Sequence, residues 1–181
     1  MIAIILGGVA FGQDIVERVG TVTYSENEYS LMTRFEAWKI VLEMVKVNPV
    51  LGFGPANYYW YTPLFPILGY PVQFNSHNNY VDILAQTGFL GLLVFLWFVA
   101  EIGWLGWRLQ SQAPEGFMRA YVVGVLGGLA ATLVAGMLGD WFLPFVYNVG
   151  LSGFRSSVLA WLFLGGLISV QQILRSQREP A

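Results

Sequence analysis

Ser76-His77-Asn78-Asn79-Tyr80-Val81-Asp82-Ile83-Leu84-Ala85-Gln86-Thr87-Gly88-Phe89-Leu90-Gly91-Leu92-Leu93 joins the only histidine of the chain to the foot of a long apolar run. An imidazole is the side chain best suited to proton transfer near neutral pH. The run behind it reads as a membrane crossing. The stretch therefore sets one proton-transfer group where an aqueous loop meets a bilayer.

Working outward, three apolar segments reach spanning length, at about residues 84–107, 120–138 and 156–172, since a crossing needs roughly twenty residues. Of the 181 residues, 56% are hydrophobic and 11% charged, whereas a soluble domain carries about a quarter charged residues. Seven Trp and thirteen Phe add to the membrane signal. A net charge of −2 gives no basic field for nucleic acid. With no Cys and one His, disulfides, thiolate chemistry and the usual zinc clusters are excluded. Arg108, Arg119, Arg175 and Arg178 fall on one side of the spans, which the positive-inside rule makes cytoplasmic, together with the C-terminus. Asp140 and residues 13–83 fall on the other side. Residues 1–12 are apolar but too short to span and lack a signal peptide's basic start. They read as a partial transmembrane helix, and the chain as truncated. The expected fold is all-α and integral to the membrane: a multi-pass helical bundle with a large extracytoplasmic loop containing an amphipathic helix.

That helix is expected at about 31–47. Thr33-Arg34-Phe35-Glu36 fits a capping box, with Ser30 as the rival cap, and Asn48-Pro49 stops it. At about 100° per residue, Leu31, Phe35, Trp38, Leu42 and Val45 form one stripe, opposite Glu36, Lys39, Glu43 and Lys46. Arg34 breaks the pattern, lying roughly 160° from the centre of the charged face. Two readings stand side by side. One is a clamp on phosphate, which the planar guanidinium suits, helped by N–H groups at the helix start. The other is a snorkelling side chain, or an ion pair with Asp82, Glu26 or Glu28.

Further along, Val47 to Asn57 is rich in Gly and Pro. It reads mainly as structural punctuation, with a weaker reading of Gly52 and Gly54 as a phosphate cradle. Tyr58, Tyr59, Trp60 and Tyr61 suit an interfacial belt or a sugar-stacking surface. His77 is either a catalyst or an ordinary polar residue in a capping segment, where Asn78 or Asn79 caps the next helix. Asp82 either orients the imidazole or favours the helix dipole. Glu101 lies within a span, as a functional carboxylate or as one near the cytoplasmic end that reaches the headgroups.

Taken together, Arg34-Phe35-Glu36-Ala37-Trp38, then Asn48-Pro49-Val50-Leu51-Gly52-Phe53-Gly54, then His77-Asn78-Asn79-Tyr80 with Gly88-Phe89-Leu90-Gly91 resemble the O-antigen ligase family over roughly residues 15–105. The superfamily also includes O-antigen polymerases, protein O-oligosaccharyltransferases and bicarbonate-transport-associated membrane proteins. The resemblance implies an inner-membrane glycosyltransferase of lipopolysaccharide or polysaccharide biosynthesis. It would move a glycan from undecaprenyl diphosphate to an acceptor hydroxyl by a metal-independent, inverting reaction without a cofactor. His77 matches the family's catalytic histidine and Arg34 its diphosphate-binding arginine. Asp82, Gln86 and Trp38 are candidate supporting residues. Partners would be the lipid-linked glycan, a glycan or lipid acceptor, and membrane lipids. Members usually carry Glu where this chain has Gln86. Another functional arginine of the family lies upstream of the region matched here, so independent transferase activity is not expected of these 181 residues. The alternative is a transport-associated or other non-catalytic member of the same superfamily.

Overall fold

A computed structural model describes residues 24–143 and 151–178. The partial span expected at 1–12 lies outside the described residues. The described helices are α1 (Tyr24–Val45), the single turn α2 (Tyr58–Tyr61), α3 (Asn79–Gln112), α4 (Phe117–Ala135) and α5 (Leu151–Ser176), with a 3₁₀ turn at Thr62–Leu64. No strand occurs among the described residues. An isolated antiparallel bridge joins Ile67 and Tyr70.

Helices α3 and α4, and α5 from Ser157 to Ser176, are each long and apolar enough to cross a membrane. Helix α3 is the spine, packing on α1, α4 and α5. Leu109, Val122, Val125, Leu129, Leu164 and Leu167 fill the three-helix core. Phe142 closes it, edge-on to Phe95 at 5.1 Å and Trp161 at 4.8 Å. The outward faces stay apolar: Leu93 is 64% and Trp97 65% exposed, as suits hydrocarbon rather than water. Glu101 sits on this outer flank, exposed, and accepts a hydrogen bond from Trp97 Nε1 at 3.2 Å.

A kink at Gly88 divides α3 (φ 66°, ψ −169°). This conformation belongs essentially to glycine. The helix after the kink is about 36 Å long at 1.5 Å per residue, enough for a hydrocarbon core of about 30 Å. The turns before it are largely buried, with Asn79, Asp82, Ile83, Leu84 and Ala85 facing inward. Backbone groups released by the kink are taken up by the Gly/Pro-rich hinge. Phe53 N and Gly54 N donate to the carbonyls of Ala85 and Gln86, both at 2.8 Å. In return, Phe89 N and Leu90 N donate to Pro49 O (2.8 Å) and Val50 O (3.2 Å). Gly52, itself at φ 67°, lies so close that a Cβ would sit 2.6 Å from Ala85 O. The Asn48–Gly54 and Gln86–Gly91 stretches are thus two halves of one joint. The phosphate-cradle reading fails: Gly52 N is bonded to Asn48 O and Gly54 N to Gln86 O.

Helix α1 is already helical at Tyr24 and runs past the expected start at Leu31. Thr33 is an interior residue whose hydroxyl donates to Ser30 O at 2.9 Å. Neither it nor Ser30 is a cap, and Arg34 is not near the helix start. The inward face also differs from the expected stripe. Ala37, Val41, Met44 and Val45 are buried, whereas Leu31, Phe35 and Leu42 are exposed. Slender side chains let α1 pack tightly on the start of α3, in a small core with Tyr58, Leu84 and Ala85. Arg34 and Trp38 flank this inward face.

Candidate functional site

The site begins with the chain reversal ahead of α3. Asn78 caps that helix, its Oδ1 accepting from Tyr80 N at 3.0 Å and Val81 N at 3.2 Å. Asn79 does something else: its N–H donates to Gly136 O and its Oδ1 accepts from Phe142 N, both at 2.8 Å. Tyr80 adds a bond from its hydroxyl to Leu133 O at 2.8 Å. The first turn of α3 is therefore stitched to the corner that follows α4.

His77 has φ 50°, a left-handed backbone uncommon outside glycine. The turn points its imidazole outward, with the side chain 48% exposed. Nδ1 lies 3.5 Å from Asp140 Oδ2, and the Asp140 side chain is only 13% exposed. The same oxygen accepts from Asn75 Nδ2 at 3.0 Å. The other oxygen, Oδ1, is buried without a hydrogen-bond partner among the described residues.

Beneath the turn lies a buried polar network. Asp82 Oδ1 accepts from the Tyr58 hydroxyl and lies 2.8 Å from Ser76 Oγ. Tyr58 in turn accepts from Ser76 N at 3.3 Å, and Ser76 Oγ accepts from Asn78 N at 3.1 Å. Asp82 is fully buried. It fixes the turn from below and does not face the imidazole, which corrects the expectation that it orients His77. Asp140 stands in that place instead. An Arg34–Asp82 ion pair is likewise not formed. Tyr58 is a core residue, whereas Trp60 and Tyr61 remain exposed.

Helix α1 closes the site from the side. Trp38 Nε1 donates to Ser76 O at 2.6 Å, directly beside His77. One turn earlier, Arg34 Nη1 donates to Leu138 O at 3.1 Å. Leu138 and Asp140 are two residues apart, so Arg34 and His77 reach the same short corner from opposite sides. Only one of the five N–H donors of the guanidinium is used in the bond to Leu138. Gln86 is placed apart from both. Its Oε1 accepts from Ala56 N at 2.8 Å, while Nε2 is buried without a partner among the described residues. It braces the hinge.

The arrangement offers a half-exposed imidazole backed by a shielded carboxylate, beside a guanidinium held by a backbone carbonyl. That set can take a proton from a hydroxyl and hold an anion. Asp140 is the member that sequence reasoning missed. The one signal was its position on the same side of the spans as His77.

The model of the family described as O-antigen ligase matches residues 1–96. The match takes in α1, the hinge, the His77 turn and the kink of α3. No curated protein and no solved structure matches the chain.

Proposed function

The chain belongs to the O-antigen ligase family, whose model covers more than half of it, and from that premise we propose that it serves the transfer of a glycan from undecaprenyl diphosphate to an acceptor hydroxyl. The acceptor oxygen attacks C1 of the donor sugar. The bond from C1 to the diphosphate oxygen breaks, and undecaprenyl diphosphate leaves with the electron pair. The acceptor proton passes to His77.

Arg34 answers the charge that grows on the diphosphate as the bond breaks. A fixed guanidinium stabilises that charge without reorganising. Asp140 holds the imidazole: an Nδ1–H directed at its carboxylate leaves the Nε2 lone pair toward the acceptor. Trp38 and the Asp82 network act at one remove, by fixing the turn that carries His77. We infer that the loop lies on the extracytoplasmic face of the inner membrane. Arg108, Arg119, Arg175 and Arg178 lie near the helix ends away from His77, in keeping with the positive-inside rule.

The observation that carries this reading is the approach of Arg34 and His77 to one corner, Leu138–Asp140, from two separate elements. The test is glycan attachment in cells carrying Arg34→Ala, His77→Ala or, as a control, Lys39→Ala at the native locus. Both site variants should abolish attachment at normal protein levels, and the control should not. Full attachment in both site variants would remove the reading's named residues.

A further inference from the structure

A polar cavity lies near the other end of α3, far from His77. Arg108 lies 20 residues beyond the kink at Gly88, about 30 Å along the straight part of α3 at 1.5 Å per residue. There the last turns of α3 and α5 enclose about 220 Å³. Arg108 and Gln112 come from α3, and Gln171, Arg175 and Arg178 from the end of α5 and the turn after it. Leu109 and Leu174, both buried, form the apolar floor. Among the described residues, none that line the cavity carries a carboxylate.

Cations near helix C-termini interact favourably with the helix dipole, and arginines on this side of a membrane protein are expected. Neither effect explains why three guanidiniums, from α3, α5 and the turn after it, border one cavity. Like charges brought together repel, and the repulsion is relieved by an anion between them. The fourth arginine of this end differs: Arg119 lies 3.6 Å from Glu115. Arg108 also rests near the Trp104 ring, 6.0 Å from its centroid. The indoles of Trp104 and Trp107 are exposed at the same level of α3, as in the aromatic belts at a membrane interface.

We propose that the cavity formed by Arg108, Arg175 and Arg178 binds a phosphate group, that of an anionic lipid headgroup at the membrane surface. The guanidinium fork matches phosphate oxygens two at a time, and basic pockets between transmembrane helices take such headgroups. The two glutamines supply further hydrogen-bond donors. The site is independent of glycan transfer and of the roles of Arg34 and His77.

Native mass spectrometry of the full chain in detergent tests this, with dioleoylphosphatidylglycerol and dioleoylphosphatidylcholine added in turn. Wild type should bind the anionic lipid about tenfold more tightly than the zwitterionic one. The triple variant Arg108→Gln/Arg175→Gln/Arg178→Gln should lose that preference, and Arg119→Gln should keep it. Replacing the same three arginines by Lys should retain part of it, since charge remains while the fork is lost. Displacement of the lipid by millimolar inorganic phosphate would identify free phosphate as sufficient, and resistance to it would assign the site to the lipid. Equal binding of both lipids by wild type, or a preference that survives in the Gln triple variant, would overturn the proposal.

Discussion

The two ends of helix α3 are built on different principles. Around its first turns, polar groups are tied to named partners: Asp82 Oδ1 to Tyr58 and Ser76, the Asn79 N–H and Oδ1 to Gly136 and Phe142, and Trp38 to Ser76, while Asp82 Oδ2 and Asn79 Nδ2 are buried without a hydrogen-bond partner among the described residues. Along the rest of its length, α3 packs on α4 and α5 through apolar side chains and turns further apolar side chains outward. The first region is specified by directed bonds that tolerate little change. The second is specified by length, hydropathy and the fit of aliphatic surfaces, and its outer face is interchangeable within hydrocarbon. A catalytic geometry requires the first kind of construction and a membrane anchor only the second. Both candidate site residues, Arg34 and His77, attach to the first.

Glycine replacements should expose the contrast most sharply. At Gly88 any side chain would run into the Val50 carbonyl, and the backbone conformation alone costs a non-glycine residue about 1–3 kcal/mol. Gly88→Val should therefore yield little folded protein by size-exclusion chromatography and circular dichroism. At Gly124, on the bundle, an added Cβ meets nothing within 4 Å. Gly124→Ala should match or slightly exceed wild type in thermal stability. Equal damage at both positions would erase the distinction.

The buried network comes next. Asp82→Ala would remove the carboxylate that accepts from the Tyr58 hydroxyl, while Ser76 Oγ keeps its bond to Asn78 O, and should cost about 1–3 kcal/mol, read as a lowered melting temperature. Trp38→Phe keeps an aromatic ring, smaller than the indole, but removes the bond to Ser76 O, a loss of about 0.5–1.5 kcal/mol for the bond itself. Its effect on glycan transfer should exceed its effect on stability, because the bond fixes the residue next to His77. At the small end, Lys39→Ala breaks an exposed pair with Glu36 and should change stability by less than about 0.5 kcal/mol. A large loss there would mean that the outer face of α1 is packed against another surface.

The spanning helices were legible because apolar runs of crossing length need no tertiary partner to be recognised. Arg34 was legible as a cation on the wrong side of its helix. What stayed hidden depended on contacts distant in sequence. The Ser30 and Thr33 capping signals are real local preferences, but α1 runs through them and Thr33 satisfies its hydroxyl within the helix. The most hydrophobic stripe of α1 is not the inward one, because close approach to α3 selects Ala37 and Val41 over Leu31 and Phe35. Tyr58 is indistinguishable in sequence from its aromatic neighbours until Asp82 and Ser76 are brought to it. Asp140 meets His77 only when the corner after α4 folds back on the start of α3.

The most searching measurement is a double-mutant cycle on His77 and Asp140 made at the native locus, read as initial rates of glycan transfer in membranes at equal protein levels. His77→Ala should lower the rate by about 10²–10⁴-fold, and Asp140→Asn should lower it less. Because Asp140 acts through the imidazole, the double variant should be no slower than His77→Ala alone. Losses that multiply, or an Asp140→Asn variant as fast as wild type, would contradict the account.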